Sequence, residues 1–385
     1  MLSHILKHFH YFLLTLEIKV LYYALSKLIY EDMFMNTIIA NANEKNTIAQ
    51  ASGILQSGGL VAFPTETVYG LGGNALDADA AARIYAAKGR PSDNPLIVHI
   101  ADTEAVYELA SEVPDKVRML MEAYWPGPLT IILPKKDIVP DGTTGGLKTV
   151  AIRMPSHPAA LQLIRESGVY IAAPSANTSG RPSPTKASHV IEDMSGKIDM
   201  IIDGGEVGIG IESTIVDLTS DVPAILRPGY ITKTMIENII GPVIIDPAII
   251  HPTPDMRPKA PGMKYTHYAP KGELTVVECK ASDISGQKKV AEKINDLVNE
   301  KLSSGFRVAV IATEETRELY KCPHILTVGS AGKGETVAAR LYAVLRECDE
   351  LGANYIYSEA FNYGELGNAI MNRLLKAAGQ RVIDI

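Results

Sequence analysis

The chain has 385 residues but only one tryptophan, six phenylalanines and three cysteines. With aromatics at 6%, there is little on which splayed bases could stack, which counts against an RNA reader built on aromatic platforms. Positive charge is also short: 37 Lys and Arg face 44 Asp and Glu, a formal net charge of −7. That excludes a broad electrostatic nucleic-acid binder, so any RNA role must be local. Cys279, Cys322 and Cys348 all fall in the last third, without CxxC or HxxxH spacing. The expectation is a reducing, cytoplasmic compartment with neither a disulfide framework nor a zinc site. No apolar run is long enough to span a bilayer, because Glu17 and Lys19 break the stretch His10 to Tyr30, and no membrane association is expected. Residues 1–34 lack a good cleavage site and read as an N-terminal extension, either a start misplaced ahead of Met33 or Met35 or an amphipathic surface helix.

The length suits two domains. Over residues 35–238, short β-branched runs ("GLVAFP", "LIVHI", "LTIIL", "TVAIRM", "GVYIAAP", "IDMIID", "STIVDL", "AILRPG") alternate with helical segments. Too many strands lie close together for a simple doubly wound sheet, so an α/β fold with a twisted mixed sheet is expected. Residues 239–270 form a Pro-rich linker, too apolar and aromatic to be a mere tether. From 271 to 385, "ELTVVE", "RVAVIAT", "HILTVG" and "YIYSEA" alternate with helices, including one at 314–320, which predicts a smaller parallel, Rossmann-like α/β domain.

Four strand ends carry the chemistry. In "AAKGRPSDNP", Gly89 ends a helix and Pro91 pushes Arg90 toward extended backbone, so Lys88 and Arg90 are expected to converge along an extended segment. On a helix they would diverge by about 200°. Two neighbouring cations have little reason to converge except on an anion. In "IAAPSANTSGRPSP", Ser175 and Asn177 stand two apart at the end of an apolar strand, a common way to hold phosphate oxygens or a base edge. "FPTETVYGLGGNA" offers Thr65 and Thr67 as donors and Gly70, Gly72 and Gly73 for close approach of a ligand, though it is neither a P-loop nor a GxGxxG fingerprint. "GSAGKGET", near Gly332, also misses the P-loop pattern, since a glycine follows its lysine. The fourth group is His99, Arg153, Ser213 and Arg227. His99 alone would be a satisfied core histidine, and the two arginines could pair with Glu66, Glu212 or Asp217. Four such strand ends are hard to explain as unrelated surfaces.

With "WPGPLTIIL", "VAIRMPSHP", "GIESTIVDL", "LRPG", "PGMKYTHYAP" and "GNAIMNRLLKAAG", these stretches resemble the YrdC-like family of threonylcarbamoyl-AMP synthases in its long, two-domain form, over about Asn46 to Leu375. The resemblance implies a YrdC-like twisted mixed sheet with a large concave cavity, covered by the linker. It also implies that Lys88, Arg90, Asn94, Thr149, Asn177, Thr185, Arg227 and Tyr268, with His267 nearby, meet ATP. Likewise Thr67, His99, Arg153, Ser175 and Ser213 would hold L-threonine. Lys88 and Arg90 would be catalytic, magnesium would accompany ATP, and bicarbonate would be the third substrate. A downstream tRNA threonylcarbamoyl transferase would take the product. Two rivals are an RNA-binding or nucleotide-sensing regulator using the same cavity, and a hydrogenase-maturation carbamoyl transferase, which would need further domains.

Overall fold

The computed structural model describes residues 36–249, 258–262, 267–279, 284–362 and 364–385. The reading of residues 1–34 lies outside them. Eleven strands form one sheet in the order Ile38–Asn41, Met200–Asp203, Val61–Phe63, Gly70–Asn74, Ile171–Ala173, Ile97–His99, Thr149–Arg153, Leu129–Pro134, Thr214–Asp217, Ala224–Arg227, Ile244–Ile245. The sheet is mixed: Val61–Phe63 runs antiparallel to Gly70–Asn74, while Ile97–His99 and Thr149–Arg153 are parallel. Every strand candidate named for this unit forms. Ile38–Asn41, Gly70–Asn74 and Ile244–Ile245 were not anticipated.

Gly70–Asn74 escapes a propensity reading because three of its five residues are glycine, which is depleted in strands. Its glycines also correct an expectation. A β-carbon on Gly72 would lie 2.6 Å from Ile171 Cγ2 and 2.9 Å from Phe63, and one on Gly73 would crowd Leu60, Ala80 and Ile84. Gly72 and Gly73 therefore serve packing between strand and neighbours, and only Gly70 reaches the cavity described below.

Successive side chains of a strand face opposite sides of a sheet. One side is a continuous core that includes Ala62, Val98, Ile131, Ile152, Val216 and Ile225. The other side is divided. Val61, Phe63, Ile171 and Met200 belong to one apolar cluster, and Ile97, Ile132, Ala151, Ile215 and Leu226 to another, which Ala260 of the linker joins. The cavity occupies this divided face, floored by Ile97, His99, Arg153 and Ala173.

The second sheet is wholly parallel, in the order Ile325–Thr327, Val308–Ala312, Tyr355–Glu359, Glu273–Glu278, Val382–Asp384. Helix Ile284–Ser303 covers one face through Val290, Ile294 and Val298; helices Gly334–Glu350 and Gly364–Ala377 cover the other. The helix expected at 314–320 is only a 3-10 turn, Arg317–Leu319, and Val382–Asp384 is an additional strand. The same two helices face the first unit: Val68, Ile211 and Tyr268 share an apolar cluster with Val337, Leu341 and Tyr342.

Candidate active site

Helix Ala78–Lys88 is capped by Asp77, whose carboxylate accepts from the Asp79 amide at 2.9 Å. It ends at Gly89, whose φ of 61° lies in the left-handed region that favours glycine. Lys88 is thus the last helical residue rather than part of an extended segment. The convergence of Lys88 and Arg90 on one cavity is real, but the left-handed glycine produces it. Lys88 is 2% exposed and donates to the carbonyls of Ser175 and Asn177, tying the helix end to the facing strand end. Burial, then the neighbouring Arg90, hold its amine well below the usual lysine range. Arg90 donates to the carbonyls of Asn94 and Pro95, each at 3.1 Å.

On the facing strand end, Ser175 Oγ donates to Asn177 Oδ1 at 2.5 Å, and the Asn177 amide donates to the Thr178 and Arg181 carbonyls. The cavity floor holds Arg153, whose guanidinium pairs with Glu66 at 2.7 Å, one of the structural partners foreseen for it. His99 lies beside it, with Nδ1 3.0 Å from the Ile97 carbonyl; burial, then Arg153, push the imidazole down to about 3, so it is neutral. Arg227 reaches this face through a shift of register: Ile225 stands opposite Val216, but Arg227 stands opposite Ile215. Such a bulge re-aims a side chain that strict alternation would send to the core. Arg227 Nε donates to the Ser213 carbonyl at 3.0 Å and Nη2 to Ser213 Oγ at 3.1 Å; no ion pair with Asp217 forms.

Pro261, Gly262, His267 and Tyr268 of the linker close the cavity from above. Tyr268 adopts a left-handed backbone, φ 68°, and lays its ring 5.0 Å from that of Tyr342. In and beside the cavity, Arg90 Nε, Asn94 Oδ1 and His267 Nε2 are buried without a hydrogen-bond partner among the described residues, a cost that a polar ligand would relieve.

Of the residues expected from the sequence, Lys88, Arg90, His99, Arg153, Ser175, Asn177, Arg227 and Tyr268 line this one cavity. Five stand outside its wall. Thr67 lies behind Thr65, their hydroxyls 2.8 Å apart, and Ser213 lies behind Arg227, 2.8 Å from Thr130. Asn94 sits under Arg90, while Thr185 is fully buried with its amide 3.2 Å from His189 Nδ1. Thr149 opens its strand opposite Pro134. Glu212 lines the cavity, yet the sequence reading weighed it only as a counter-ion for an arginine. Its place in "GIEST", directly before Ser213, was the available signal.

A mixed sheet with a cationic cavity on its divided face, joined to a parallel α/β unit, defines a protein of the YrdC-like class. The Sua5/YciO/YrdC family model, described as telomere recombination, matches residues 53–229, and that of the threonylcarbamoyl-AMP synthase C-terminal domain matches residues 231–379. The threonylcarbamoyl-AMP synthase of Bacillus subtilis is 52% identical over 337 residues, 87% of this chain and 94% of its own length. That of Pyrococcus abyssi is 49% identical over 352 residues, covering 91% of this chain and all of its own. A crystal structure of Pyrococcus abyssi Sua5 complexed with L-threonine matches with a TM-score of 0.83 at 47% identity, over 91% of this chain and 99% of that one. The chain belongs to the threonylcarbamoyl-AMP synthase family.

Proposed function

We propose that this chain is an L-threonylcarbamoyladenylate synthase, a cytoplasmic nucleotidyltransferase that converts L-threonine, bicarbonate and ATP into threonylcarbamoyl-AMP and pyrophosphate. The observation that carries the reading is the meeting of Lys88, Arg90 and Arg227 with the Ser175–Asn177 strand end at a single cavity. Relatives named for this activity at 49–52% identity support it. In this reading residues 35–238 are the catalytic unit, 239–270 the covering linker and 271–385 the C-terminal unit.

Threonine's carboxylate goes to Arg153, with His99 and Ser175 alongside in the cavity and Thr67 and Ser213 acting from behind Thr65 and Arg227. Because His99 is neutral, it places no second cation against threonine's amine. The amine loses a proton and forms a C–N bond to the carbon of bicarbonate, from which water departs, giving a carbamate. A carbamate oxygen then attacks the α-phosphorus of ATP in line, and the bond to the bridging oxygen breaks to release pyrophosphate. Lys88 and Arg90 face the charge that develops there, with Asn177, Arg227 and Tyr268 placing the nucleotide and Asn94, Thr149 and Thr185 supporting them from outside the cavity wall. No side chain forms a covalent bond.

Among the described residues, Glu212 is the carboxylate that lines the cavity, and Glu66 lies behind Arg153; Arg373 and Arg153 engage them, so magnesium would enter on the nucleotide's phosphates rather than in a cage made by this chain. The product is a reactive mixed anhydride, suited to direct transfer to a partner that modifies the adenosine beside a tRNA anticodon.

The test is pyrophosphate release by the full chain from ATP, with magnesium, bicarbonate and each of the twenty amino acids in turn. Release that requires both threonine and bicarbonate is expected. ATP binding without release under any of these conditions would overturn the reading in favour of a nucleotide-sensing or RNA-binding regulator.

A further inference from the structure

Behind the cavity, the C-terminal unit inserts charged and hydroxyl groups where apolar contacts would suffice for adhesion. Arg373 of helix Gly364–Ala377 is fully buried, and Glu212 of the first unit is 6% exposed. Arg373 Nε donates to the Glu212 carboxylate at 3.1 Å, Nη2 to the Glu212 carbonyl at 3.3 Å, and Nη1 to the Pro228 carbonyl. Glu212 precedes Ser213, and Pro228 follows Arg227. One planar guanidinium therefore spans the two chain segments that carry Ser213 and Arg227, which are themselves hydrogen-bonded to each other.

Tyr342 of helix Gly334–Glu350 completes the cluster. Its hydroxyl lies 3.0 and 2.9 Å from the two Glu212 carboxylate oxygens, where Ser183 also donates at 2.6 Å. Its ring packs at a tilt of 36° against that of Tyr268. Lys376, one turn beyond Arg373, donates to the Gly262 carbonyl in the linker. None of Tyr342, Arg373 and Lys376 lines the cavity. A buried ion pair is often no more stabilising than apolar packing of the same volume, so adhesion between the units does not account for it. Fixed geometry does: a guanidinium fork holds several acceptors at set spacing, which an ammonium or a methyl group does not.

We infer that Arg373 is a positioning residue for the adenylate-forming step: it holds Ser213 and Arg227 in register from outside the cavity, while Tyr342 seats Tyr268, so that the C-terminal unit completes the active site. The inference rests on the synthase reading. Arg373→Lys keeps the charge beside Glu212 but loses the fork. It is expected to retain a cooperative thermal transition within ~5 °C of wild type. Its kcat/KM for pyrophosphate release should fall on the order of 10²-fold, with KM raised for both threonine and ATP, as misplacement of a positioning group does. A fall in kcat that only tracks the folded fraction, both KM values unchanged, would make the role merely structural and overturn the inference. Should Arg373→Lys fail to fold, Tyr342→Phe, which loses one hydroxyl and keeps the ring, is expected to raise KM for ATP several-fold, and unchanged constants sink the proposal. Wild type run alongside separates the two levels. Wild-type turnover with unaffected variants removes this inference alone; a wild type without threonine-dependent release removes the synthase reading, and this inference with it.

Discussion

Two lysines in this chain sit beside glycines at helix ends, and they have opposite fates. Lys88, in "AAKGRP", closes helix Ala78–Lys88 and is buried against a cavity. Lys333, in "GSAGKGET", precedes helix Gly334–Glu350 and is exposed. A helix N-terminus with free amides is the usual anion site, so local rules would favour Lys333. The loop ahead of that helix is held by the chain itself: Glu315 accepts from Ser330 Oγ at 2.5 Å and from the Ala331 amide at 2.9 Å. Around Lys88, by contrast, Arg90 Nε and His267 Nε2 are buried without hydrogen-bond partners among the described residues. The lesson is that an unsatisfied cationic environment marks a ligand site more surely than a glycine-lysine pattern.

The comparison is sharpest in turnover. Lys88→Ala or Arg90→Ala is expected to lower pyrophosphate release by about 10²- to 10³-fold, the usual cost of one positioned charge facing a developing anion. Steady-state assays on both variants, with threonine and ATP varied separately, check this. Near-normal rates in both would remove the phosphate assignment and erase the distinction from Lys333.

Much of the comparison was open to a sequence reading. Alternating apolar runs gave the strands around the site, and the spacing of Lys88, Arg90, Ser175 and Asn177 marked the two ends that meet. The expected mechanism of convergence was wrong, because one left-handed residue at Gly89 redirects the chain more than the proline after it does. The strand Gly70–Asn74 was hidden by glycines whose reason is tertiary, the nearness of Phe63 and Ile171. The bulge that turns Arg227 into the cavity leaves no local signature. Least legible was the partner of Glu212: Arg373 lies 161 residues away, and only the docking of the second unit brings them together. Local patterns record which face of an element is apolar; they do not record which distant charge will meet it.

Alkaline titration tests the burial of Lys88 next. The Lys88 amine is held low by burial and by Arg90, so over the interval between its folded value and about 10.4 the unfolded chain binds a proton that the folded chain has released. Stability therefore rises with pH there. Lys376, lowered to about 8 mainly by burial, adds a slope of the same sign. Lys88→Met is expected to flatten the rise in denaturant-unfolding free energy measured from pH 8 to 10. A slope equal to that of wild type would show that Lys88 is not buried in solution.

The smallest effect belongs to the other loop. Replacing Lys333 by Ala removes an exposed ammonium with no place in the cavity, so stability should change by no more than about 0.5 kcal/mol and turnover not at all. Its neighbour gives the control. Glu315→Gln keeps the size but weakens the acceptor that holds Ser330 and Ala331, and because hydrogen bonds to the carboxylate lower its pKa, the stabilisation it contributes is present above the ordinary carboxylate range and lost on acidification. At pH 7 the variant is expected to lose no more than about 0.5 kcal/mol, because solvent screens this exposed carboxylate, read by urea unfolding, and to match wild type at low pH, where the carboxylate is protonated in both folded and unfolded chains. A turnover loss in Lys333→Ala comparable to that of Lys88→Ala would mean that the loop of the second unit also meets the reacting phosphates, and the two lysines would then differ in address rather than in role.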